Sequence, residues 1–180
     1  MTIYRDAGNA ISRIMSIDMH DGTKKQQWQH HYQAGFPDAP KNRQGDELSP
    51  EEQLTQDSMT RSMLKRELPT VAWMALVAKY SINETEVQEA ARYLVPRVKT
   101  VAHYLFRMKC VTAWVIPERR NKLKPEFYQI HSWDADGTPD RTLRRWRSVM
   151  FVWLDAQVAE GHLLADELLQ SHELIYKEAA

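Results

Sequence analysis

Apolar residues recur every three or four positions along most of this chain, and this spacing constrains the fold more than any other feature. It places them on one face of an α-helix, not on the alternating faces of a strand. The clearest run comprises Val87, Ala90, Ala91, Leu94, Val98, Val101, Ala102, Leu105 and Met108. The sequence has only six glycines and is poor in the turns that a β-sandwich or barrel needs. We therefore predict a mainly α fold, a helical bundle-like single domain of about six helices.

Two segments carry strong signals for the start of a helix. Ser49 precedes Pro50 and two glutamates, which combines a capping hydroxyl, a proline tolerated in the first turn and acids at the positive end of the helix dipole. This helix is expected to run to about Lys65. Asn83 followed by Glu86 is a second capping pattern. Pro96 is expected to kink the helix that follows or to break it in two.

Residues 1–48 are predicted to form a polar, partly extended N-terminal arm in front of a helical domain at 49–180. Residues 1–19 are compatible with a short amphipathic helix, whereas residues 20–48 are polar and interrupted by glycine and proline. A segment of this composition buries little surface. Trp28, Tyr32 and Phe36 stand in it as isolated anchors.

The last third of the chain suggests two more helices. Thr138 and Pro139 are expected to cap and open a helix that bears four arginines, and Gly161 is expected to close it. Residues 163–176 would then form a separate acidic helix. The segment 126–133 fits either a short helix or a strand.

The cysteine content and the hydropathy pattern suggest a cellular compartment. The single cysteine, Cys110, excludes an intramolecular disulfide, fits a reducing environment and is expected to pack in the core. No apolar run approaches the roughly 18 residues that cross a bilayer. The first residues lack the basic and then apolar pattern of a signal peptide. We expect a cytoplasmic protein without membrane contact.

Charge is balanced over the whole chain but unevenly distributed along it. Residues 92–147 carry 13 basic and 5 acidic residues, a net charge of +8, whereas residues 148–180 have a net charge of −5. Such asymmetry favours an anionic partner. It also fits basic and acidic helices that pair within the fold.

The strongest functional signal is a cluster of arginines around Leu143 and Trp146. On a helix, these two apolar side chains face the core while the guanidinium groups spread over the flanks and the outer side. A second basic group lies in a preceding loop. We expect both groups to form a nucleic-acid-binding surface made of Arg119, Arg120, Lys122, Lys124, Arg141, Arg144, Arg145 and Arg147.

Residues 126–147 resemble the helix-turn-helix segment of bacterial and phage regulators. A short helix, a turn at Asp136-Gly137 and a recognition helix from Thr138 would occupy the expected order. The resemblance implies that Leu143 and Trp146 are buried anchors and that DNA is a more natural ligand than RNA. The exposed contacts would be Asp140, Arg141, Arg144 and Arg145. The predicted function is a non-enzymatic nucleic-acid-binding regulator.

The alternative prediction is a protein-interaction adaptor or inhibitor whose arginine face docks on an acidic surface of a partner protein. The polar arm would suit folding on such a partner. The apolar run 149–154 is wider than one core-facing stripe requires. It indicates either a central core helix or a homo-oligomer interface.

No cofactor or metal is expected. Residues 134–138 match the Asp-x-Asp-Gly-Thr string of haloacid-dehalogenase-type phosphatases, but the long α/β domain of those enzymes has no counterpart here. Laid on an EF-hand loop, the same stretch puts Leu143 where a bidentate glutamate is needed. The seven histidines show no metal-ligand spacing. A helical enzyme that uses His103 or His131 is the third and weakest interpretation.

Overall fold

The computed structural model describes residues 3–17, 48–120 and 122–175. Within these ranges the chain forms α-helices and short 3-10 helices and no strand, so the predicted mainly α class is confirmed. The six α-helices of this part are α1 (Ala7–Met15), α2 (Pro50–Glu67), α3 (Thr70–Tyr80), α4 (Glu84–Leu94), α5 (Tyr104–Val115) and α6 (Asp140–Ser171). The 3-10 helices are Glu118–Arg120, Pro125–Tyr128 and Ile130–Trp133.

The helix starts at Ser49 and Asn83 are confirmed. Ser49 Oγ accepts a hydrogen bond from the Glu52 amide, and the Glu52 carboxylate accepts one from the Ser49 amide, which completes a capping box. Asn83 Oδ1 accepts from two amides in the first turn of α4. The expected break at Pro96 is also present, because α4 ends at Leu94 and α5 begins at Tyr104.

Helix α3 lies at the centre of the core. It is apolar nearly all round, and it therefore needs neighbours on several sides. It packs against α4 and α6 and also contacts α1 and α2, while α5 packs against α4 and α6. Its buried residues are Ala72, Trp73, Ala75, Leu76, Val77 and Ala78.

Helix α1 is part of this core and not of an arm. Its residues Ile11, Ile14 and Met15 are at most 1% exposed, and the helix contacts α2, α3 and α6. Within residues 3–17, the weak apolar pattern is therefore a core-facing stripe. Residues 18–47 of the predicted arm, including the anchors Trp28, Tyr32 and Phe36, lie outside the described residues.

Helix α6 is one helix of 32 residues, where two were predicted. The expected end at Gly161 is wrong because this glycine is buried in mid-helix against α3. A Cβ atom there would lie 2.9 Å from Leu76 Cγ and 3.3 Å from the Ala72 carbonyl oxygen. The glycine thus permits close helix packing, and residues 163–171 of the predicted acidic helix are the last part of α6. Neither α6 nor any other helix in the described ranges is long and apolar enough to cross a membrane.

Candidate nucleic-acid interface

A hydrogen-bonded latch before α6 sets the position of the arginine cluster. The Asp134 side chain is only 3% exposed. Its Oδ1 lies 3.0 Å from His103 Nε2, and its Oδ2 accepts from the Thr138 amide at 2.8 Å. Thr138 does not cap the helix as predicted, because α6 begins at Asp140 without a side-chain cap. One carboxylate thereby joins the start of α5 to the turn that leads into α6.

The geometry of His103 fits this latch better than a metal site. His103 caps α5, because its Nδ1 accepts from the Phe106 amide at 3.3 Å. The neutral ring then carries its proton on Nε2, which donates to Asp134. His103, Asp134 and Asp136 offer ligand atoms within 4.8 Å of one another. A metal ion would need the Nε2 lone pair that this tautomer does not provide.

The latch should make stability depend on the ionisation of Asp134. The Thr138 amide, and after it His103, hold the pKa of Asp134 below its ordinary value. A lowered folded-state pKa means that the carboxylate stabilises the fold above the unfolded-state pKa, about 3.9, and that this contribution is lost as the pH falls through the folded-state value. We expect D134N to unfold at lower urea than the natural chain at neutral pH, with the gap closing below about pH 4. Urea midpoints measured across this pH range test it, and a gap that persists in acid would contradict the latch.

Aromatic rings fix the inner face of α6. Leu143 is buried, and the Trp146 ring meets Phe106 of α5 edge to face at 5.5 Å. Phe106 in turn packs against Trp133 at 5.5 Å. These contacts hold the first turns of α6 at a fixed orientation, so the side chains on its other faces keep a regular spacing.

Three of the four arginines of α6 are exposed. They are Arg141, Arg144 and Arg145. Arg144 Nε pairs with Asp140 Oδ2 at 2.7 Å, and His131 Nε2 lies 3.2 Å from the other oxygen of that carboxylate. Neither Arg141 nor Arg145 forms an ion pair within the described residues. Both guanidinium groups are therefore open to a ligand.

Arg147 differs from the other three because it is partly buried beside Cys110 of α5. Burial raises the pKa of the Cys110 thiol to about 12, and the positive charge of Arg147 offsets this only in part. The thiol is thus a neutral core group, as expected, and not a nucleophile. Arg147 is the weakest of the four candidates for a contact with an external anion.

The basic residues of the loop lie at the opposite end of α5. Arg120 and Lys124 are exposed, and Lys122 pairs with Glu84 at the start of α4 at 3.1 Å. The side chain of Arg119 lies outside the described part of the chain. Helix α5 has 12 residues, so its two ends are about 18 Å apart. The loop and the start of α6 therefore form two separate basic groups.

The apolar run 149–154 divides between two faces of α6. Met150 and Leu154 are buried, whereas Val149 and Val152 face solvent. The exposed apolar positions continue along the same side of the helix. We call this surface the outer stripe; its members are Val149, Val152, Ala156, Ala159 and Leu163.

The segment that resembles a helix-turn-helix has an unusual first half. Pro125–Tyr128 and Ile130–Trp133 are two 3-10 helices in place of one α-helix, which also resolves the ambiguity between helix and strand. Gly137 in the following turn has a φ of +70°, which favours glycine. Comparisons of the chain with protein-family models, curated proteins and solved structures give no match.

Proposed function

We propose that this chain is a cytoplasmic nucleic-acid-binding regulator, of bacterial or phage type, that contacts phosphates through the first two turns of α6. The observation that supports this function is the exposed set of Arg141, Arg144 and Arg145 on a helix anchored by buried Leu143 and by Trp146. Guanidinium groups stay charged and bind phosphate oxygens in a bidentate manner. Several of them at helical spacing suit a polyanion with repeated phosphates.

The start of α6 adds to this attraction. The positive end of the helix dipole lies there, and among the described residues no side chain caps it, so the amides of Asp140 and Arg141 can bind an anion, whereas those of Thr142 and Leu143 donate to Pro139. Residues 140–147 hold four arginines and one aspartate, a net charge of +3. The one opposing carboxylate, Asp140, is itself paired with Arg144. The local field therefore favours phosphate.

The loop residues Arg120 and Lys124 provide a second contact for a longer ligand. Because the loop and the start of α6 lie at opposite ends of α5, a 12-residue helix about 18 Å long, one nucleic acid reaches both only if it extends over about five base pairs or more. Duplexes longer than this should bind more tightly than shorter ones.

Removing the exposed arginines should weaken binding and its dependence on salt. We expect R141Q/R144Q/R145Q to bind a duplex of about 24 base pairs at least about tenfold more weakly than the natural chain at about 50 mM salt. The slope of log affinity against log salt should fall by about two to three, since each lost phosphate contact removes nearly one unit. Fluorescence anisotropy at several salt concentrations measures both quantities.

The matched control removes three exposed basic side chains from other helices: K65Q/R66Q/R92Q. It carries the same change in net charge, so it should keep most of the affinity. Equal losses of affinity in the two triple variants would show that the effect comes from overall charge and not from the three arginines of α6. No binding by the natural chain at about 50 mM salt would refute the proposed function.

A protein-interaction adaptor is the second candidate, and a groove between α4 and α5 favours it. The groove has a volume of about 320 Å³ and is lined by Val87, Ala91, Tyr104 and Met108, with Arg92 beside them. Tyr104 and Met108 are among the exposed apolar side chains, and such grooves accept amphipathic helices. Purification from cell extract with nuclease separates the candidates, because an adaptor keeps its partner after nuclease treatment.

A further inference from the structure

The outer stripe of α6 has the spacing of a coiled-coil seam. Its five members follow one another at intervals of three, four, three and four residues, the pattern that keeps side chains facing a second helix. Val149, Val152 and Leu163 are 49%, 67% and 61% exposed. Single exposed apolar residues are ordinary, but five in one continuous stripe mark a contact surface.

The charges around the stripe are arranged against the dipole of α6 itself. Arg141 and Arg145 lie near its positive start, and Glu160 and Glu167 lie toward its negative end. Such placement weakens an isolated helix slightly. No ion pair with another described residue involves Arg145 or Glu167. The stability of α6 alone therefore does not account for this charge pattern.

We propose that the outer stripe is the interface between two copies of this chain, with their α6 helices packed antiparallel. Ala156 lies seven residues from both Val149 and Leu163, and eleven from both Arg145 and Glu167. A two-fold axis at Ala156 thus sets each Val149 opposite Leu163 of the second copy and each Arg145 opposite its Glu167. Every contact occurs twice, as a closed symmetric dimer requires.

Side-chain size and charge both favour this arrangement over its alternatives. Ala156 and Ala159 at the centre are small, so two helices can approach closely there. A parallel pair would place Arg145 beside Arg145 and Glu167 beside Glu167, which is repulsive at both ends. A foreign partner would need an acid opposite Arg145 and a base opposite Glu167, whereas a second copy already has both. The Val149–Leu163 and Arg145–Glu167 matches therefore favour the antiparallel homodimer.

The dimer has a consequence that rests on the proposed function. The arginine cluster is centred on Arg144, twelve residues from Ala156, so the two clusters of a dimer lie about 36 Å apart at 1.5 Å per residue. This is close to the repeat of B-DNA, about 34–36 Å, at which dimeric regulators contact successive half-sites. Arg141 and Arg144 stay outside the pairing with Glu167: Arg141 has no ion pair among the described residues, and Arg144 is exposed beside its partner Asp140.

The test is the mass of the chain in solution, without nucleic acid. Sedimentation velocity between about 5 and 100 μM, where dimers of modest affinity assemble, should give twice the chain mass of 21.1 kDa for the natural protein and the single-chain mass for V152D. The control V101D changes an even more exposed valine, 87% exposed and off the stripe, and should remain dimeric. Circular dichroism checks that both variants keep their helices. A natural chain that stays monomeric, or a V152D variant that dimerises like V101D, would overturn the proposal.

A charge exchange tests the antiparallel direction. R145E and E167R should each weaken the dimer at least about fivefold, and the double variant R145E/E167R should restore most of the loss, because the pair is rebuilt with reversed signs. Failure of the double variant to recover would overturn the antiparallel pairing. Since no nucleic acid is present, these results stand apart from DNA binding by the natural chain: a monomer that binds DNA refutes the dimer alone, and a dimer that does not bind refutes the proposed function alone. The variant R141Q/R144Q/R145Q also lacks Arg145 and is expected to lose both properties.

Discussion

The variant R61M should lose about 3–5 kcal/mol of the free energy of unfolding, because it removes one partner of a buried ion pair. Arg61 of α2 is 6% exposed. Its Nη2 atom lies 2.6 and 2.8 Å from the two carboxylate oxygens of Glu86 in α4. Its Nη1 donates to the carbonyls of Ile14 and Ile17 at 3.2 and 2.9 Å. One planar guanidinium thus connects α2 to α4 and to the end of α1, a set of contacts that methionine cannot make.

Urea denaturation followed by circular dichroism measures the loss. The matched control is R66M in the same helix, where the arginine is exposed and pairs with its neighbour Glu67; it should change stability by less than about 1 kcal/mol. The double variant R61M/E86M should be more stable than R61M, since it removes the buried carboxylate as well. An R61M variant within about 1 kcal/mol of the natural chain would contradict this role of Arg61.

Most of the features that the sequence predicted depend on near neighbours in the chain. The capping box at Ser49 and the cap at Asn83 need only the next three residues, and the helical class follows from spacing within each segment. The exposure of Arg141 and Arg145 follows in the same way from the positions of Leu143 and Trp146 on the helix. Each of these patterns lies within a few neighbouring residues, so the sequence alone is sufficient to predict it.

Features that depend on distant partners were missed. The residues of the His103–Asp134 latch are 31 positions apart, and those of the Lys122–Glu84 pair are 38 apart, so nothing in either segment indicates its partner. Arg147 was grouped with the exposed arginines because its burial depends on α5, which lies far away in the chain.

In the sequence, the outer stripe was indicated only by an apolar run that is wider than one core-facing stripe requires. The apolar run 149–154 indicated a core helix or an oligomer interface without distinguishing them, since periodicity alone does not say which side faces the core. Burial of Met150 and Leu154 decides this question and leaves Val149 and Val152 on the surface. The outer stripe then continues to Ala156, Ala159 and Leu163, beyond residue 154, where the apolar run in the sequence ends.

Valine at Gly161 should destabilise the fold by roughly 3 kcal/mol, because it forces α6 away from α3. Its Cβ would lie 2.9 Å from Leu76 Cγ and 3.0 Å from Leu76 Cδ1, as well as 3.3 Å from the Ala72 carbonyl oxygen. The Leu76 side chain can turn aside in part, but a helix carbonyl cannot. The exposed helix position Ser148 provides the control, and S148V should stay within about 0.5 kcal/mol of the natural chain.

Two further variants separate packing from helix propensity. Alanine in place of a mid-helix glycine gains up to about 1 kcal/mol where it is exposed, yet G161A should lose stability because its Cβ meets the same atoms of Leu76. In the double variant G161A/L76A the leucine atoms are gone, so the loss should be smaller than the sum of the two single losses. Had α6 ended at Gly161, as the sequence suggested, the position would be a surface turn and G161V would be tolerated. Thermal and urea unfolding of this series therefore tests the continuous 32-residue helix on which the outer stripe and its proposed dimer depend.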